Sequence, residues 1–234
     1  MKKFLLFLTV FFFLTTLFAQ EETNLTGEEY SAPEDFKGLI QSMDFVMEFQ
    51  PALYLNTEST LVSAPSPIVY KLAIGFLWPN YTFLAIQPTL SFFMMNHLYY
   101  NDKALPAEIE NRTTTTLSFM IDIPAAFSLY LSKSHFQFNA GVGALLRFGL
   151  LASGVKENDS GWTGSAGEDV KKINEWFWND MRWLYVTLGG SWMYHLTPQL
   201  KAGPVLNCYI PVGGLIEDHN PQAMIISAGI KICR

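Results

Sequence analysis

Residues 43–56 read MDFVMEFQPALYLN, and their alternation decides the fold. One set is Met43, Phe45, Met47, Phe49, Pro51, Leu53 and Leu55; the other is Asp44, Val46, Glu48, Gln50, Ala52, Tyr54 and Asn56. Successive side chains of an extended chain point to opposite faces, so this period of two spells a strand with one large apolar face and one small or polar face.

The same contrast recurs in seven further segments, near 68–78, 84–94, 117–129, 136–148, 181–196, 200–212 and 222–233. In the second, Ile68, Tyr70, Leu72, Ile74, Phe76 and Trp78 oppose Val69, Lys71, Ala73, Gly75 and Leu77. In the fifth, Phe136, Phe138, Ala140, Val142, Leu146 and Phe148 oppose Gln137, Asn139, Gly141, Gly143 and Arg147. Tight turns at 78–80, 132–134 and 197–199 alternate with long polar links at 57–66, 96–112, 153–180 and 213–221. Eight strands with short and long links in alternation make an up-and-down antiparallel sheet whose short turns share one end. Within the longest link, Glu168 to Trp178 carries the spacing of a short amphipathic helix.

Composition narrows the setting. Of 234 residues, 50% are hydrophobic and only 15% charged, against about 25% charged in a soluble domain. With 15 Lys+Arg against 21 Asp+Glu there is no basic excess for nucleic acid. The one long apolar run, Phe4 to Ala19 after Lys2 and Lys3, reads as a secretory signal peptide over 1–19. An acidic arm over 20–42 follows, and the barrel occupies 43–234. No apolar stretch beyond the signal is long enough for a spanning helix.

Volume decides which face is outside. An eight-stranded barrel interior is only just wide enough to be filled by side chains. The Phe, Leu, Ile, Met and Trp face is too bulky for it, whereas the Gly, Ala, Ser, Thr, Asn and Gln face fits. The expected fold is therefore an all-β, eight-stranded antiparallel transmembrane β-barrel with a lipid-facing apolar exterior and a polar, largely filled lumen. Trp78, Tyr130, Trp192 and Tyr194 near the short turns, and Tyr54, Tyr70, Phe148 and Trp183 near the long links, are expected to form aromatic girdles.

The signal peptide, the eight alternating strands and the short and long connections resemble the small bacterial outer-membrane β-barrels, the group of the OmpA membrane domain, OmpX and OmpW. The resemblance covers about 43–234 and rests on pattern. It implies residence in the bacterial outer membrane, contact with outer-membrane lipid and with the assembly machinery, and, through OmpW-like members, passage of small hydrophobic molecules.

The candidate site is the charged set on the inner face: Asp44, Glu48 and Asp122 with Lys71, Arg147, Lys201 and Lys231. Charges in a membrane interior must pair or meet water, so Glu48 and Asp122 are expected within salt-bridge reach of Lys71 or Arg147. The set reads either as a structural plug or as the constriction of a narrow passage. Trp162, Trp176 and Trp178 in the longest link are candidates for binding an extracellular ligand. His97 and His219 have no serine at a recognisable spacing, and no C-x-x-C, H-E-x-x-H or P-loop motif occurs, so neither catalysis nor a metal or other cofactor is expected. Cys208 shares the parity of Leu206, and Cys233 that of Lys231; both thiols are expected free, with Cys233 nearer water. The functional expectation is a narrow channel or transporter for small solutes or small hydrophobic molecules. The alternatives are a structural or adhesive barrel with ligand-binding loops and, behind it, a lipid-modifying enzyme.

Overall fold

The computed structural model describes residues 42–55, 66–79, 83–100, 102–107, 113–131, 133–152, 166–197, 199–217 and 223–234. The signal peptide, nearly all of the acidic arm, Trp162 and His219 lie outside the described residues. The strands are β1 (Asp44–Tyr54), β2 (Ile68–Leu77), β3 (Leu84–Ile86), β4 (Thr89–Tyr100), β5 (Lys103–Ala107), β6 (Thr114–Tyr130), β7 (Ser134–Ala152), β8 (Leu184–His195), β9 (Lys201–Pro211) and β10 (Ile225–Cys233). Two helices, α1 (Ala166–Trp178) and α2 (Val212–Glu217), stand in the long links.

Antiparallel pairing runs β1–β2–β4–β6–β7–β8–β9–β10 and closes from β10 back onto β1. This is a closed eight-stranded barrel, as the alternation predicts. The third wall strand is built in two pieces, β3 and β4, because Pro88 lacks an N–H to donate. Its carbonyl still accepts from the Phe76 amide at 3.1 Å, and the Gln87 amide reaches Pro124 at 2.9 Å, so the wall stays joined across the break.

Parity holds along every wall strand. In β1 the side chains of Asp44, Val46, Glu48, Gln50, Ala52 and Tyr54 are buried while Phe45, Met47, Phe49, Pro51 and Leu53 are exposed. The outer wall is a continuous apolar surface that includes Ile68 and Tyr70 at 66% exposure, Val142 at 58% and Ile230 at 59%. Inside, neighbouring strands approach so closely that a Cβ on Gly203 would strike the Trp192 carbonyl, and one on Gly229 the Phe49 carbonyl. Only glycine fits at those two inward positions.

The interior is layered, and less uniformly small and polar than expected. At the short-turn end Val46, Leu77, Ala85, Ala126, Met193 and Cys233 form an apolar floor. A polar layer follows, and above it lie Tyr54, Phe93, Met95, Met120, Leu145, Tyr185 and Tyr209. Tyr54 is thus a lumen residue at 1% exposure, not part of an outer girdle. Its inward parity outweighs its nearness to the rim. Both cysteines are free. Cys233, expected near water, is instead 3% exposed because it belongs to the apolar floor.

The long links hold more structure than their polarity suggests. Residues 103–107 fold back on β4 as β5, after a turn in which Asp102 takes a φ of 59°. Leu98, Leu105 and Ala107 bury one another in that hairpin. The predicted helix begins two residues early, at Ala166, with Glu168 and Asp169 in the first turn where the helix dipole favours acids. After α1, Asp180 and Met181 take φ values of 56° and 50° and turn the chain into β8, which starts at Leu184, three residues later than expected.

Candidate functional site

Cross-strand register determines which charges meet. On β1, Glu48 lies opposite Lys231 of β10 on one side and Ala73 of β2 on the other. Lys71 lies opposite Gln50, one inward position further up. The base that reaches Glu48 is therefore Lys231, at 4.0 Å, rather than Lys71 or Arg147. The Glu48 carboxylate also accepts from Gln50 Nε2 at 2.6 Å, Gln87 Nε2 at 3.3 Å and Asn207 Nδ2 at 3.3 Å. Lys231 Nζ donates further to the side-chain oxygens of Gln87 and Gln137. Burying charged side chains is costly unless ion-pair and hydrogen-bond partners replace their water, and these contacts supply such partners.

The other expected residues sit around this centre. Lys201 and Asp44 pair at 2.6 Å at the short-turn end. Lys71 donates to the Tyr209 hydroxyl and lies 4.4 Å from the centre of that ring. Asp122 accepts from its cross-strand neighbour Thr89, with Gly143 opposite on its other side. The expected ion pair between Asp122 and Lys71 or Arg147 is not formed among the described residues. Asp122, Asn139 and Thr187, each with a side-chain oxygen that has no hydrogen-bond partner among the described residues, line a cavity of about 10 Å³. That is room for a single water.

Arg147 stands apart, at the mouth. β8 pairs with β7 only as far as Ala144, so no wall strand lies beside Arg147 on that side. Its guanidinium donates to Tyr54 Oη and to the Arg182 carbonyl, both at 2.8 Å, and lies 4.3 Å from the Phe177 ring centre. Its described partners are neutral or aromatic, so it anchors a lid rather than a salt bridge.

That lid is α1. Ile173, Trp176 and Phe177, at spacings of three and four, face down into the mouth with Ala104 of β5. His97, expected in a polar link, is fully buried on β4, with its ring 4.7 Å from Phe177 and Nδ1 2.9 Å from Thr116 Oγ1. Asn174 Oδ1 accepts from the Gly149 amide at 2.8 Å, and Asn174 Nδ2 donates to the Gly149 carbonyl at 3.1 Å. The side chain so takes the place of a missing strand on the free edge of β7. Trp176 is 8% exposed, with the Arg182 guanidinium 4.5 Å from its ring centre, so it belongs to the buried face of the lid. Trp178 is 44% exposed and lies 6.0 Å from Phe148, over the rim on the outer wall.

Gln50, Gln87, Gln137, Asn207 and Tyr209 complete the network and were not singled out by sequence. Their inward parity was readable; their role depends on which strands close the barrel.

No family model and no curated protein matches the chain. Among solved structures it is similar to Neisserial surface protein A, at 8% identity and a TM-score of 0.48 over 82% of this chain and 96% of that one. It is similar to the N-terminal β-barrel domain of Pseudomonas aeruginosa OprF, at 10% identity and 0.39 over 82% and 96%. It is similar also to Ail, the attachment invasion locus protein of Yersinia pestis, at 5% identity and 0.41 over 82% and 95%.

Proposed function

We propose that this protein is an integral β-barrel of a bacterial outer membrane whose lumen is sealed and which acts through its outer and loop-end surfaces, as a structural or adhesive barrel. One observation carries the reading: the distribution of polarity is inside out. Glu48, Lys71, Arg147 and Lys231 are 0–5% exposed, while the wall outside is Phe, Leu, Ile and Met. A closed barrel satisfies every backbone group internally and leaves no edge, which is the condition for spanning hydrocarbon with strands. The seal is threefold, namely the apolar floor, the hydrogen-bonded polar layer centred on Glu48 and Lys231, and the α1 lid. Membrane lipid and the assembly machinery are its partners under this reading, and an extracellular ligand at the long-link end is the third.

A narrow channel for small solutes is the second reading. It is favoured by the sequence of charged and amide groups from Asp44–Lys201 through Glu48–Lys231 to Arg147 along the lumen. The two differ in planar-bilayer conductance of the refolded protein. A sealed barrel gives no steady unitary current, and deletion of residues 154–178 leaves it silent because the polar layer and floor remain. Steady currents from the intact chain would overturn the sealed reading in favour of the channel.

A further inference from the structure

The outer wall carries an open depression. On β7 to β10 a groove of about 460 Å³ opens to the outside, within the range of small-molecule pockets of about 300–1,000 Å³. Its lining combines the small Gly190, Pro204 and Ala228 with the large Phe138, Leu206 and Trp192. Phe136 stacks on Trp192 with ring centres 5.2 Å apart, closing the end nearest the short turns.

The same four strands end in bases. Lys133 precedes β7, His195 closes β8, Lys201 opens β9 and Arg234 follows β10. The His195 amide donates to the Lys133 carbonyl at 3.1 Å, so these two residues are adjacent. Lys133, His195 and Arg234 are exposed, and Lys201 is held by Asp44. Among the described residues, the ends of β1, β2, β3 and β6 on this rim carry Asp44 as their one charged side chain. From Phe136 to Lys133, and from Trp192 to His195, is three residues, roughly 10 Å along a strand.

We propose that this groove binds an anionic phospholipid of the short-turn-side leaflet, with an acyl chain between Phe138 and Leu206 and its phosphate on the rim of Lys133, His195 and Arg234. The inference rests on the membrane reading above. An apolar slot ending three residues below a basic rim has the polarity sequence of such a lipid, tail to head. Basic residues at a membrane surface favour anionic over neutral headgroups. Among the described residues, the rest of the rim offers no such basic side chain.

The protein is refolded into vesicles of phosphatidylcholine and into an equal mixture of phosphatidylcholine and phosphatidylglycerol, and lipids retained on release are counted by native mass spectrometry. Retention of phosphatidylglycerol over phosphatidylcholine on the order of tenfold is expected, from the gain per basic residue at an anionic surface. Gly190→Leu fills the slot and should abolish tight retention of either lipid. A Cβ at Gly190 meets Gln137 O at 3.7 Å and Phe138 Cδ1 at 4.0 Å, ordinary contacts that the wall tolerates. Lys133→Ala with Arg234→Ala should retain lipid but lose the preference. Equal retention of both lipids by the unaltered chain, retention unchanged in Gly190→Leu, or a lipid-free dimer occupying the groove would each overturn the proposal. Failure of the unaltered chain to insert into either vesicle would instead overturn the membrane reading, and this inference with it.

Discussion

Glu48 shows what residue-scale reading reaches and where it stops. Its parity put it inside the barrel, and volume explained why the inside had to be polar in part. Its partner depended on β1 closing against β10, a pairing between opposite ends of the chain that local alternation does not encode. Hence Lys231, not Lys71, stands across from it. Glu48, Lys231, Gln87 and Gln137 form one hydrogen-bonded group, so removing either charge leaves the other buried without its counter-charge. Lys231→Met should lower unfolding stability by about 3–5 kcal/mol, the cost of leaving one buried charge unpaired. Adding Glu48→Gln should recover part of that loss. By contrast Lys171→Met, at an exposed pair 3.8 Å from Glu175, should barely move the denaturant midpoint. Urea titration of the barrel in detergent, followed by tryptophan fluorescence, measures all three; equal midpoints for Lys231→Met and Lys171→Met would remove the network from the stability account.

At the scale of elements, the wall was legible and the cap only in part. Period two identifies eight strands because each has one face against a filled lumen. A period near 3.6 identified α1 within a polar link, yet it said nothing of what the helix would cover. That answer depends on unequal strand lengths: β6 and β7 run 17 and 19 residues while β8 runs 12, which leaves a free edge for Asn174 to cap. β5 was missed because it is five residues long and its pattern, with Pro106 inside it, resembles a loop. Asn174 makes two hydrogen bonds to Gly149, each contributing about 1 kcal/mol net. Asn174→Ala should therefore release α1 while sparing the wall. Hydrogen exchange should show faster amide exchange across 166–178 and at Gly149, with β1 and β10 unchanged. Loss of protection throughout the barrel would make α1 part of the core rather than a lid.

At the scale of the whole molecule, the closed sheet orders its two ends. Tight turns, the start of β1 and the end of β10 share one rim; α1, α2 and the β4–β5 hairpin share the other. A strand barrel assembled into an outer membrane keeps its short turns inside and its long links outside. Lys171 and Lys133 are exposed on opposite rims and so report on orientation. Each is replaced by cysteine in turn, and intact cells are treated with a charged maleimide that does not cross membranes. The native thiols give no background, since Cys208 faces the apolar wall and Cys233 is buried in the floor. Lys171→Cys should label on intact cells, and Lys133→Cys only after the outer membrane is opened. The reverse pattern would invert the barrel, placing the basic rim and its groove in the outer leaflet. Labelling of both on intact cells would mean the chain does not span the membrane, and the apolar wall would then need another partner to cover it.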